Sequence, residues 1–388
     1  MRKHHLSKKL FFAGLVLFII GAIGVALTMN KGNMIEKGEP LTKQWDLSAE
    51  NINSIAFSSE RDVTFEWKES TNGKNYIELK GNYSANDKKA IQKLDPVSED
   101  GTSFNITVPE EEDWYNGFGK IYAYGQQKVT VYLTKDTKLA DLEVKSHSGD
   151  INVADFKVKK FVSSTNSGEL KVSNLEANTA QMATSSGDLE LSNMKANSSV
   201  ETGSGQTDLT NLTGDLEVNG GSGDVNVTGV KAKKLKIAID SGDIELTSGT
   251  VTDLAVLTTS SGDIDASTKG KVQAESNSGA IELAGITNDV TAKTSSGDID
   301  VAFIKQVKNI EINTDSGEVE LDLPGDFKAI YEASSNSGSV KAPTSDSNTD
   351  NRVTVKTSSG DIKIEKIKNQ CANYLISAFF LLKRGKVR

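Results

Sequence analysis

One short phrase keeps returning in this 388-residue sequence, and it constrains the fold more than anything else in the chain. Residues 294–301 read TSSGDIDV, and near-copies appear as HSGDINV, SSGDLEL, DSGDIEL, SSGDIDA and SSGDIKI. Aligned on the glycine of each Ser-Gly, the copies fall at Gly149, Gly168, Gly187, Gly205, Gly223, Gly242, Gly262, Gly279, Gly297, Gly317, Gly338 and Gly360. The period is about 19 residues, which marks a solenoid whose units bury their apolar faces only against their neighbours.

Apolar residues keep the same frame. Two positions after the glycine stand Ile151, Leu170, Leu189, Val225, Ile244, Ile264, Ile281, Ile299, Val319, Val340 and Ile362. Four after it come residues such as Val153, Leu191, Leu246 and Ile364, and seven after it Phe156, Leu175, Met194, Val230 and Ile304. Upstream pairs such as Leu216/Val218 and Leu235/Ile237 repeat the spacing of two, which is the strand period. The pattern predicts an all-β fold, a parallel β-solenoid (β-helix) of about twelve coils. Each coil has a strand ending near the Ser, a glycine corner that takes a positive φ, a second strand from the acid onward, and a short third side. At about 4.8 Å per coil the rod is on the order of 55–60 Å long.

An acid follows most corner glycines: Asp150, Glu169, Asp188, Asp224, Asp243, Asp263, Asp298, Glu318 and Asp361. Stacked like charges need screening by solvent or a cation. The favoured reading is structural, with Asp bonding to corner amides and facing water. A calcium ladder is the alternative, but the nine-residue calcium-binding repeat is absent. No metal site and no cofactor are assigned.

The remaining segments are read by composition. Residues 1–9 form a basic cytoplasmic stretch with Arg2, Lys3, Lys8 and Lys9. Residues 10–29 carry no charge and span about 30 Å as a helix, enough for one transmembrane helix. The positive-inside rule puts everything after Met29 outside, so the expected location is the cell membrane, single-pass. A cleaved signal peptide, with Gly24-Val25-Ala26 as a small-x-small site, is the competing reading. Residues 30–138 are rich in aromatics, of which the repeats are nearly free, and read as a β-rich cap, 139–368 as the solenoid, and 369–388 as a tail of unassigned role. Within the cap, Trp114, Tyr115, Phe118, Tyr122 and Tyr124 are a candidate ligand patch for sugar rings, or else the cap's own core.

Composition narrows the functions. The formal net charge is -9, and this acidic balance, with no basic stripe offered to neutralise phosphates, argues against a nucleic-acid partner. Lone Cys371 has no internal disulfide partner. Only His147 is available to a folded domain, so a Ser-His-Asp centre would have to use it.

The single apolar N-terminal segment, the short β-rich lead-in and the serial S-G-[DE]-[ILV]-x-[ILV] units over residues 46–366 resemble the bacterial putative-adhesin family of domains of unknown function. Its membrane-anchored members in Gram-positive bacteria include the LiaG-like proteins encoded beside envelope-stress systems. The resemblance implies a β-solenoid at the cell surface and carries over no catalytic residues. The expected function is therefore a membrane-anchored surface protein with an adhesive or scaffold role and no catalysis. Its expected partners are the membrane and either a cell-wall polymer or a membrane protein. The alternatives are an envelope-stress accessory that binds a membrane partner through residues 31–139, and a β-helix polysaccharide lyase or hydrolase.

Overall fold

The computed structural model describes residues 35–36, 38–48, 50–109, 121–122 and 124–367. The basic segment 1–9, the apolar segment 10–29 and the tail 369–388 lie outside the described residues. Among the described residues no helix is long and apolar enough to cross a membrane.

The period-two pattern becomes two long parallel ladders that share the coil stack. One ladder is built from the strands after each corner: Ile151–Ala154 pairs with Leu170–Ser173, and so on through Val225–Thr228, Ile244–Thr247 and Ile264–Ala266 to Val319–Pro324. The other is built from the strands before each corner, such as Leu216–Ser222 on Lys231–Ser241 on Thr250–Ser261. Register places like on like, with Ile244 opposite Val225 on one side and Ile264 on the other. Alternation then turns one face inward, and Ile244, Ile264 and Ile299 are all within 1% of complete burial. Removing such side chains from water contributes roughly 1.5–3 kcal/mol each.

Two inward expectations fail for local reasons. Ile304 is 37% exposed, because a register shift between Leu283 and Ile286 brings Phe303 opposite Ile286 and gives it the inward place. Val340 is 43% exposed because its coil lies at the very end of the stack.

The corner glycines form one column, and crowding explains them better than backbone conformation. Gly205, Gly223, Gly242, Gly262, Gly279, Gly297 and Gly360 have φ between +120° and +158°, but the other five corners do not share that region. The expected positive φ is thus only part of the reason. At all twelve positions a Cβ would stand 1.9–2.5 Å from a backbone atom of the adjacent coil, usually the stacked glycine's carbonyl. Any side chain would force the coils apart there.

The stack does not follow chain order at its ends. Asn309–Ser316 pairs with Arg352–Ser359, which in turn pairs with Ile330–Ser337. Val319–Pro324 likewise pairs with Ile362–Ile367, and that strand with Val340–Lys341. The Gly360 coil is therefore inserted between the Gly317 and Gly338 coils. The N-terminal end repeats the manoeuvre. Asn51–Ser59 lies between Ser103–Thr107 and Lys138–Ser146, and Val63–Glu69 lies between Gln127–Leu133 and Ile151–Ala154. At the C-terminal end the chain runs to the outermost coil and returns one coil inward. The N-terminal end is the same exchange traced in reverse, starting in the second coil, running out to the outermost and then passing inside the coil where it began.

Residues 51–69 are thus a full coil although they lack the motif. Arg61 occupies the corner against Gly149, and Asp62 plays the acid's part. Beyond the outermost N-terminal coil, Asn75–Tyr83 and Glu39–Leu47 continue the sheet in antiparallel fashion. The helix Ala85–Lys93 starts where the Ser84 hydroxyl accepts the Asp87 amide at 2.9 Å, and it buries Ile91 completely. Aromatics fill this end, with Trp45 edge-on to Phe104 at 5.5 Å and Phe65 5.7 Å from both Phe57 and Phe156.

Candidate functional site

Stacking turns each motif position into a column, and every column has its own chemistry. The acids after the corner are hydrogen-bond acceptors for the next coil. Asp62 Oδ1 accepts the Asp150 amide at 2.9 Å, Asp150 the Glu169 amide at 2.8 Å, Asp243 the Asp263 amide at 2.8 Å and Asp361 the Ser339 amide at 2.7 Å. These carboxylates are exposed to water, which screens their mutual repulsion. The Ser339 amide, followed by its hydroxyl, holds the Asp361 carboxyl below its ordinary range.

A second column lies three residues before the corner. Hydroxyls of Thr165, Thr259, Ser276 and Thr294 donate to the glycine carbonyl of the preceding coil at 3.0–3.2 Å. The third column was not anticipated from the sequence. Six residues after the corner, Asp155, Asn174, Asn193, Asn211 and Ser248 sit at φ +53° to +69°, and Gly229 shares the conformation. The Asn174 amide donates to Asp155 at 2.9 Å, Asn193 to Asn174 at 3.3 Å and Asn211 to Asn193 at 3.1 Å. Asn and Asp tolerate the left-handed region and bond locally there, so this ladder makes the second corner. The period-19 recurrence of Asn and Asp at that offset is the signal that would have located it.

Three coils depart from uniformity. Around Gly205, Gly223 and Gly242 the hydroxyl column becomes Thr202, Gly220 and Ile239. A Cβ on Gly220 would lie 2.8 Å from the Ile239 Cγ2, so the glycine makes room for the isoleucine. The Thr202 and Thr207 hydroxyls are buried without a hydrogen-bond partner. The same coils line a recess of about 500 Å³ where the third side meets the pre-corner strands. Asn197, Asp215, Glu217, Lys234 and Lys236 supply its polar groups, and half-buried Leu254 and Val256 supply apolar surface. Lys236 and Glu217 form an ion pair at 2.8 Å. This recess is the candidate site on the solenoid.

Other candidates are less complete. Trp114, Tyr115 and Phe118 lie outside the described residues, and of Tyr122 the backbone is described, in a strand pairing Ile121–Tyr122 with Ile35–Glu36. Tyr124 is engaged within the fold: the Arg61 guanidinium lies 5.2 Å from its ring and 4.9 Å from that of Tyr83. Arg61 also donates to the Gly125 carbonyl at 2.9 Å. His147 is exposed and its Nδ1 lies 2.8 Å from the Asn166 amide nitrogen, with no carboxylate partner among the described contacts. Among the described residues no group of His, Cys, Asp or Glu is arranged to hold a metal ion.

Towards the C-terminal end the acids crowd. Asp298, Asp300, Glu318 and Glu320 line a recess of about 340 Å³ with Lys341, Asp361 and Lys363. Burial, then Glu320, Asp298, Asp322 and Glu318, push the Asp300 carboxyl up to about 6. Burial and Glu320 also raise Asp322.

Several solved structures are similar to this chain. A "putative adhesin" from Parabacteroides distasonis ATCC 8503 is 14% identical, with a TM-score of 0.35, covering 74% of this chain and 100% of that one. A "putative lipid binding protein" from the same organism is 15% identical, with a TM-score of 0.25 and coverage of 86% and 100%. A "putative adhesin" from Parabacteroides merdae ATCC 43184 is 14% identical, with a TM-score of 0.28 and coverage of 74% and 98%. No curated protein matches the chain. One family model matches residues 52–218, 197–283 and 267–365, which together take in nearly all of the coil stack; the chain belongs to the Toastrack DUF4097 family.

Proposed function

We propose that this protein is an anchored extracytoplasmic rod that binds a component of the cell envelope and works without catalysis. The observation that carries this reading is the uniformity of its columns. Corner glycines recur along the stack, amide-capping acids and hydroxyls in most coils and left-handed Asx residues in four successive coils, which makes much of the surface a repeated array suited to a repeated ligand. The charge-free residues 10–29, preceded by Arg2, Lys3, Lys8 and Lys9, support membrane anchoring with the rod outside. Coil-to-coil gaps between corner glycines reach only 22 residues, which leaves little chain for the long loops that wall a catalytic cleft.

The test is sedimentation of the full chain with isolated cell wall and, separately, with anionic vesicles, each with and without calcium. Saturable wall binding with no release of wall fragments is the expected result. Turnover of a wall glycan would overturn the non-catalytic reading. Binding that requires calcium would overturn the structural role given to the acids.

A further inference from the structure

The third side of the coil, between the asparagine corner and the pre-corner strand, collects charges that are far apart in sequence. Register places Lys157, Glu176, Lys195, Thr213, Lys231 and Thr250 one above another. Lysine therefore returns on every second coil, about 9.6 Å apart for a rise of about 4.8 Å per coil. Lys269 and Lys305 extend the series in sequence at the same two-coil interval, and the Thr287 hydroxyl donates to the Lys269 carbonyl at 2.9 Å from the coil between them. Lys233, Lys234, Lys271 and Lys308 widen the lysine coils.

The intervening coils carry acids that are bonded locally but keep their charge, exposed Asp253 beside the Thr252 hydroxyl at 3.3 Å among them. Glu176 pairs with Lys157 at 3.1 Å and Lys195 at 3.6 Å. Asp215 Oδ1 accepts the Lys233 and Lys234 amides at 3.0 and 2.9 Å, and Asp289 Oδ1 accepts those of Lys308 and Asn309 at 3.0 Å. By contrast Lys231, Lys233, Lys234, Lys269 and Lys271 are exposed and form no ion pair among the described residues. The post-corner side is the opposite: Glu190, Asp208, Glu245, Asp265, Glu282 and Asp300 occupy one outward column, interrupted by Asn226. A net charge of -9 thus conceals a cross-section with one acidic side and one lysine-rich side. The expectation of no basic stripe, drawn from the overall acidic balance, does not carry over to the surface, where Lys231, Lys233 and Lys234 cluster on the third side.

We propose that the lysine-rich third side binds a linear anionic polymer laid along the rod. The polymer's charges meet lysine clusters at two-coil intervals, and one of its units sits in the recess that Lys234 lines. The inference rests on the envelope-binding reading and names its ligand class. Spacing favours a polymer over a bilayer: acids separate the lysine coils, and a continuous anionic surface would have to meet both. A flexible polymer can place its charges on the lysine coils alone. The recess volume of about 500 Å³ lies within the usual range for a small-molecule pocket.

The experiment uses the full chain in detergent with long-chain inorganic polyphosphate and with polygalacturonate, over a range of salt. A variant carrying Lys231→Gln, Lys233→Gln and Lys234→Gln is compared with one carrying Lys145→Gln, Lys293→Gln and Lys356→Gln on the pre-corner side, which removes the same charge. The wild type is expected to bind at least one polymer, more weakly as salt rises. The first variant is expected to lose roughly tenfold in affinity and about 2 in the slope of log affinity against log salt, while the second keeps both. Equal losses in the two variants, or no wild-type binding to either polymer, would overturn the proposal. So would loss of binding to phosphatidylglycerol vesicles with polymer binding intact. Lys269→Gln with Lys271→Gln provides an independent variant on the next lysine coil and is expected to weaken binding in the same sense. Undiminished binding of isolated wall by the first variant would overturn this inference alone, whereas no wall binding by the wild type would overturn the reading beneath it.

Discussion

At the N-terminal end the outermost coil, with its strands Ser103–Thr107 and Gln127–Leu133, is covered on its post-corner side by two antiparallel strands and flanked by a helix. At the C-terminal end the outermost coil, residues 330–341, has no described strand beyond it. Both ends arise from the same out-and-back excursion of the chain, so topology alone does not distinguish them. Side chains do. The covered end buries Trp45, Phe104, Phe57 and Phe65, each no more than 6% exposed. The open end replaces the inward Val353, Val355 and Thr357 with Tyr331, Ala333 and Ser335 on the next coil out. A solenoid end needs a lid only in proportion to the apolar surface it would otherwise expose. Here one end is densely aromatic and lidded, and the other, with Tyr331 the one aromatic residue of 330–341, is left open.

Mutations can break or sharpen that contrast. The largest effect is expected from Phe104→Ala, which empties a buried aromatic site under the lid and should cost about 3–5 kcal/mol by chemical denaturation. A loss below about 1 kcal/mol would mean that the lid contributes little to the stack. Gly262→Ala tests the corner column in the middle of the rod, where the new Cβ would lie 2.0 Å from the Gly242 carbonyl oxygen. Overpacking and a left-handed φ together should cost about 2–4 kcal/mol. The same change at Gly338, whose coil has one neighbour and can lift away, should cost clearly less in the same titration.

Asp300 lies nearer the open end and should respond in the opposite direction. Its folded carboxyl is pushed up to about 6, so between the ordinary carboxylate range and pH 6 the folded state holds the proton more tightly than the unfolded chain. Stability therefore falls as pH rises through that window. Asp300→Asn should weaken the dependence, leaving the share of the likewise raised Asp322, and raise stability at pH 7 by about 1 kcal/mol, a figure reduced for the partial solvent exposure of the site. Thermal melts at pH 4.5 and 7 would check this, and an unchanged pH profile would contradict it. Tyr331→Ala should have the smallest global effect, under about 1 kcal/mol, because its coil is only half-buried. Amide exchange over residues 330–341 should quicken while the Gly297 coil stays protected.

The coil period and its inward positions were legible because a stacked parallel sheet repeats both its corner and its aliphatic columns. The basis of the corner was only partly so. Positive φ is a property of one residue, whereas the contact that excludes a Cβ belongs to two coils. The coil at residues 51–69 escaped notice because Glu60-Arg61 stands where other coils have Ser-Gly, leaving Asp62 as the remaining trace of the motif. Coil order at the ends was illegible for a different reason. Every coil offers the same edge chemistry, so spacings of 21 and 22 residues around Gly338 do not say which neighbour a coil will choose. The recess and the lysine-rich side needed the stack itself, since Lys195 and Lys231 are 36 residues apart in sequence.

The exchanged coil order is tested most directly by engineered disulfides in a Cys371→Ser background. Asn313 and Lys356 are register partners, and Lys356 separates Asn313 from Ser334. Cysteines at Asn313 and Lys356 would be one strand spacing apart, about 4.8 Å, and cysteines at Asn313 and Ser334 about twice that, beyond the reach of a disulfide. Rapid, near-complete oxidation of the first pair and none of the second is the expected result. The reverse would show coils stacked in chain order and contradict the end structure described here.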